Sequence, residues 1–147
     1  MKNSNFSFRV FFLTYAIANL GLVLYGILAI IKPAILLDSF SEYVYQFPAD
    51  AGIAITYQAA LFRLLGHFNL LVGAIGLVLV SQWHREQRSW LAISTMSLTF
   101  FAYLGPVVFD NTVGHIGFFE ILEHILFAAI IIAGIQMLAK LKTMNQG

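Results

Sequence analysis

The chain has 147 residues, 60% of them apolar and only 10% charged, where a soluble domain of this size carries roughly 25% charged residues. A water-soluble globule is excluded. A formal charge of +1 offers no basic surface to a nucleic acid, and the absence of cysteine removes disulfides, thiolate metal sites and thiol nucleophiles together.

Lys2 and Arg9 precede the first apolar window, residues 10–31. It is long enough to cross a hydrocarbon core about 30 Å thick, which takes ~20 helical residues. It also exceeds the roughly 7 to 15 apolar residues of a cleavable signal segment, so it is read as a retained span. Lys32-Pro33 ends it. Segment 34–47 (AILLDSFSEYVYQF) mixes apolar and acidic residues with Tyr43, Tyr45 and Phe47, rings that suit the headgroup level. It is read as a short interfacial helix or lid, with an ordinary surface loop as the alternative. Pro48 marks the turn toward the second window, residues 59–80. Arg85 and Arg88 separate that window from the third, residues 90–109, where Gly105-Pro106 predicts a kink or an end. The fourth window, residues 116–138, is followed by Lys140 and Lys142. All four runs are continuous and lack the period-two alternation of barrel strands. The fold class is therefore an all-α, integral membrane four-helix bundle, one domain over 1–147, with a short interfacial segment after helix one.

Six of the eight basic residues (Lys2, Arg9, Arg85, Arg88, Lys140, Lys142) fall on one side of these spans, while Asp38, Glu42, Asp50 and Asp110 fall in the two opposite loops. The bias predicts a multi-pass protein with both termini cytoplasmic. Within the bundle, small residues that let backbones approach and polar side chains that bond across helices mark the packed faces. Gly66, Asn69, Gly73 and Gly76 share one stripe of the second helix. The first offers Asn19, Gly21 and Gly26, with Asn19 near the depth of Asn69 and expected to bond it.

The second span, RLLGHFNLLVGAIGLVLV, opens Arg-x-x-Gly and continues Gly-rich, and Lys-Pro closes the first. This layout resembles the small four-span DoxX-like proteins and related four-span families, through Pro33, Arg63, Gly66 and Gly73. The resemblance implies the fold, and a subunit of a quinone-linked oxidase or an assembly or accessory factor. The polar cluster of the fourth helix departs from that pattern.

Ionisable side chains inside a span cost on the order of 3 kcal/mol each and point to function. Here they are confined to Arg63 and His67 of helix two and to Glu120, Glu123 and His124 of helix four, all near the outer ends. At 1.5 Å per residue Arg63 and Glu120 lie about 6 Å inside their windows, Glu123 ~10 Å, and the two histidines ~12 Å. Matching depths predict that the sets meet across the bundle, with Arg63 forking onto Glu120 or Glu123. A second carboxylate and two histidines are then left over. Two glutamates three apart cannot both ionise cheaply in low dielectric, so one is expected to hold a proton beside an imidazole.

Several readings stay open. One is an outward-facing pocket between helices two and four for a lipid-soluble or small polar ligand, lined by Arg63, Glu120, His115 and Asp110, with possible partner subunits of a larger membrane complex. Another is a membrane enzyme in which Glu123, His124 and His67 do acid–base work on an isoprenoid-, sterol- or quinone-like substrate. A bundle whose buried charges are purely structural is a further one. No cofactor is specified, but His67 and His124 could serve as axial haem ligands, or hold a metal together with Glu120 and Glu123. His115 borders Asp110 and Asn111 at the mouth, as a cap of helix four or a substrate contact. His84, beside Arg85, is read as a solvated interface residue.

Overall fold

In a computed structural model, which describes residues 2–33, 35–36, 51–113 and 117–144, the chain forms four helices. They are α1 (Lys2–Ile31), α2 (Ala51–Glu86), α3 (Ser89–Val113) and α4 (Phe118–Met144). All four are long and apolar enough to cross a membrane. The first three contain the expected windows and overrun them, and α4, which starts at Phe118, overruns the fourth window at its C-terminal end, because the flanking polar residues continue the helical hydrogen bonding into the headgroup region. The expected interfacial segment lies mostly outside the described residues, although Pro33, Ile35 and Leu36 already have helical backbone.

Local chemistry sets the ends. α1 stops at Ile31, one residue before Lys32-Pro33. α2 closes through Gln87, which adopts a left-handed φ of 52° and donates its N–H to the Trp83 carbonyl at 2.7 Å. The Arg88 carbonyl then accepts from the Leu91 and Ala92 N–H groups and opens α3. Gly105-Pro106 does not end α3, contrary to one of the two expected outcomes. Pro106 removes a single backbone donor, and beyond it Asn111 Nδ2 and Thr112 Oγ1 donate to the Val107 and Val108 carbonyls at 2.7 Å, so the last turns hold together.

α1 packs on α2, α4 and, more lightly, α3; α2 packs on α3 and α3 on α4, which leaves α2 and α4 at opposite corners. The contacts run antiparallel between neighbours, so the termini share one end of the bundle with the α2–α3 turn. That end is called proximal here, and the opposite end distal.

Glycines form the α1–α2 seam. A Cβ on Gly26 would stand 2.6 Å from the Gly66 carbonyl oxygen, and one on Gly73 would stand 2.7 Å from that of Asn19, so the two backbones touch. Three layers fill the interior. Proximally, Trp83 takes Phe11 and Phe8 edge-on, with centroids at 4.6 and 5.7 Å. At mid-depth, Asn19 Nδ2 donates to the Tyr15 carbonyl at 2.7 Å and to Thr99 Oγ1 at 2.9 Å. Asn19 thus bonds α3, not Asn69 as expected, because its side chain lies over Gly76 and reaches past α2. Tyr15 and Tyr103 hydroxyls donate to the Ile130 and Ala18 carbonyls, tying α1 to α4 and α3. The distal layer is the charged one. Outside, Leu13, Ile17, Leu71, Ile75, Phe101 and Ile132 are exposed, as a lipid-facing surface requires.

Candidate functional site

At the distal end of the α1–α3–α4 seam, α3 contributes Asp110 and Asn111, α4 contributes Glu120, Glu123 and His124, and α1 contributes Tyr25. Asp110 and Glu120 are buried, at 5% and 6% exposure, and Glu123 and His124 are half-buried. Asp110 and Asn111 reach the cluster only because α3 runs on past Pro106. Glu120 occupies the first turn of α4, where the positive end of the helix dipole favours a carboxylate.

The imidazole is held on both sides. His124 Nδ1–H donates to the Glu120 carbonyl at 2.7 Å, and Asn111 Nδ2 donates to His124 Nε2 at 2.9 Å. Asn111 gives its other proton to the Val107 carbonyl. Since Asn111 presents only donors here, Nε2 is the accepting nitrogen and Nδ1 the donating one. Asp110 and Glu120 lie within electrostatic reach of Glu123, and all three carboxyl groups within reach of the Tyr25 hydroxyl. Glu123 also acts on Tyr103, whose hydroxyl is committed to the Ala18 carbonyl.

Of the expected residues, then, Asp110, Glu120, Glu123 and His124 are brought together, while Arg63 and His67 are not. The Arg63 guanidinium is exposed, and among the described residues no ion pair joins it to Glu120 or Glu123; an ion pair is formed by Arg88 Nε and Glu86 Oε2, at 2.9 Å across the α2–α3 turn. The expected Arg63–glutamate fork is therefore corrected. So is the pocket between helices two and four, because α1 and α3 stand between them. Depth along a helix does not say which corner of the bundle that helix occupies. His67 is exposed and turned back, with Nδ1–H donating to the Arg63 carbonyl at 2.6 Å. His67 and His124 thus face different surroundings, so they do not form an axial haem pair. Among the described residues no group of three or more His, Asp or Glu is arranged to hold a metal. His115 lies outside the described residues. His84 is exposed, as expected, with its ring on Phe12 at 4.4 Å.

Sequence reasoning missed Tyr25 as a member. Its signal was depth: about 24 Å from Arg9 along α1, against about 26 Å from Lys140 to Glu123 along α4. Proximal to the cluster on the α3–α4 side is an apolar groove of about 280 Å³ lined by Tyr15, Met96, Phe100, Ile130 and Gly134 among others. No carboxylate lines it. No family model matches the chain, and no curated protein or solved structure matches it either.

Proposed function

We propose that the chain is a small multi-pass membrane protein that binds a lipid-soluble or small polar ligand at the distal end of the α1–α3–α4 seam. Glu123 is the acid that meets the ligand. The observation that carries this reading is the burial of Asp110 and Glu120 at the distal ends of α3 and α4, with half-buried Glu123 one turn along α4, in a chain that has seven acidic residues in all. A bundle selected only for stability gains nothing from gathered carboxylates, whose desolvation costs several kcal/mol and which apolar side chains would replace with profit. A ligand offering an amine, or a carbonyl that accepts from a protonated acid, complements them. The site faces outward and the termini are cytoplasmic in this reading, on the strength of the basic residues at the proximal end. Kinship with the DoxX-like families, through Pro33, Arg63, Gly66 and Gly73, belongs to the same proposal and would make the protein a subunit or accessory factor of a larger membrane assembly.

Acid–base chemistry on a lipid-like substrate is the second reading. It is favoured by the His124 ring, held at both nitrogens one residue from half-buried Glu123.

Thermal stability of the purified protein with decylamine, a decyl-substituted benzoquinone and decanoate tests the first reading. Amine or quinone should raise the melting temperature, with a gain of about 1.4 kcal/mol at tenfold over Kd, and decanoate should not. Glu123→Gln should melt like the parent without ligand and lose the response. Equal responses to all three compounds in both proteins would mean that the carboxylates do not select the ligand, and the reading would fail.

A further inference from the structure

Arg63 stands outside the acid cluster, and so does the other distal cation, Lys32. Both side chains are exposed, and among the described residues no carboxylate forms an ion pair with either. The α1–α2 register sets them at one depth. Gly26 stands against Gly66, and a Cβ on Gly66 would meet Ile30, so the antiparallel seam carries Lys32 to the level of Arg63. That level is defined independently along α2. Arg63 lies about 33 Å from Arg85, which matches a hydrocarbon core of about 30 Å. With Arg85 at the proximal headgroups, Arg63 and Lys32 are at the distal ones. Beside them Ile31, Leu64 and Leu71 are exposed and apolar, a surface for chains below the charged level. His67, one turn deeper, is committed to the Arg63 carbonyl and does not neutralise the pair.

We propose that Lys32 and Arg63 together clamp the phosphodiester of an anionic phospholipid in the distal leaflet, at the α1–α2 side of the bundle. The Arg63 fork takes two phosphate oxygens and Lys32 adds a point charge. The lipid's chains run down Leu64 and Leu71. Charge complementarity selects this occupant: two cations at headgroup depth with acyl-facing side chains beneath them fit a lipid phosphate better than a soluble anion. This site is separate from the acid cluster, whose acidic residues come from α3 and α4.

The delipidated full-length protein, titrated with dioleoyl phosphatidylglycerol and observed by native mass spectrometry, tests the proposal. Each cation near an anionic headgroup contributes about a fivefold effect. Arg63→Gln and Lys32→Gln should therefore each weaken phosphatidylglycerol about fivefold, and the double variant about 25-fold. Dioleoylglycerol, which keeps the chains and lacks the phosphate, should bind the parent protein no better than phosphatidylglycerol binds the double variant. Millimolar inorganic phosphate should not displace the lipid. Unchanged phosphatidylglycerol binding in the double variant overturns the clamp. Equal binding of phosphatidylglycerol and dioleoylglycerol by the parent protein overturns it without any variant, and displacement by phosphate overturns the assignment to a lipid.

Discussion

Asn19 spends both amide protons, on the Tyr15 carbonyl and on Thr99 Oγ1, at a point where no water competes. Its Oδ1 has no hydrogen-bond partner among the described residues and lies over Gly76. Thr99→Val keeps the shape and strands one proton, so it should destabilise the bundle by about 0.5–1.5 kcal/mol in denaturant unfolding from mixed micelles. Asn19→Leu should cost more, since it removes both bonds and presses branched methyls on the Gly76 backbone. A cost below that of Thr99→Val would show that the amide contributes no net bonding. Exposed Arg63 should behave oppositely: Arg63→Gln stays within about 0.5 kcal/mol of the parent in the same experiment. These contrasts mark what single residues disclosed. That Asn19 is buried and bonded was legible from a lone amide in an apolar run. Its partner was not, because Thr99 reads as a side chain able to satisfy itself on its own helix. Glu120, Glu123 and His124 stand out in the sequence for the same reason of cost, while Tyr25, apolar enough to belong anywhere in a span, gives no such signal.

Helices one and two meet through glycine, and the space around each glycine decides what a methyl does. At Gly73 an added Cβ meets the Asn19 carbonyl oxygen at 2.7 Å and Val23 at 2.9 Å, with backbone on the other side, so the helices must separate. At Gly105 nothing lies within 4 Å. Gly73→Ala should therefore lower the unfolding free energy by about 1–3 kcal/mol, as overpacking does. Gly105→Ala should be neutral or raise it by up to about 1 kcal/mol through helix propensity. The reverse order would place the α1–α2 contact elsewhere. Gln87 makes a third case, since its φ of 52° suits glycine. Gln87→Gly should stabilise the turn by about 1 kcal/mol. Helix existence was legible in each case because hydropathy is a one-dimensional signal. Helix length was not, since Lys2–Arg9 and Asp110–Val113 are polar or mixed and continue their helices beyond the apolar run.

The arrangement of the four helices is the scale at which sequence disclosed least. A 100° period gives the faces of α2 and α4, and the rise gives the depth of Arg63 and Glu120, yet nothing in either helix says that α1 and α3 separate them. Charge, by contrast, is distributed over the whole molecule in a way that one experiment reads. Lys2, Arg9, Arg85, Arg88, Lys140 and Lys142 lie at the proximal end, and Asp110, Glu120 and Glu123 near the distal one. Basic residues flanking short connections resist translocation, so the proximal end should stay in the cytoplasm. The absence of cysteine makes single-cysteine variants clean reporters. Gln87 is exposed in the proximal turn, and Thr112 is exposed at the distal end of α3, where its hydroxyl donates to the Val108 carbonyl of its own helix. In intact cells an impermeant maleimide should label Thr112→Cys and leave Gln87→Cys untouched until the membrane is opened. α3 alone connects the two positions, so opposite labelling also shows that α3 crosses. Labelling of Gln87→Cys alone would invert the protein and turn the acid cluster to the cytoplasm. Labelling of both would deny the crossing that the apolar length of α3 demands.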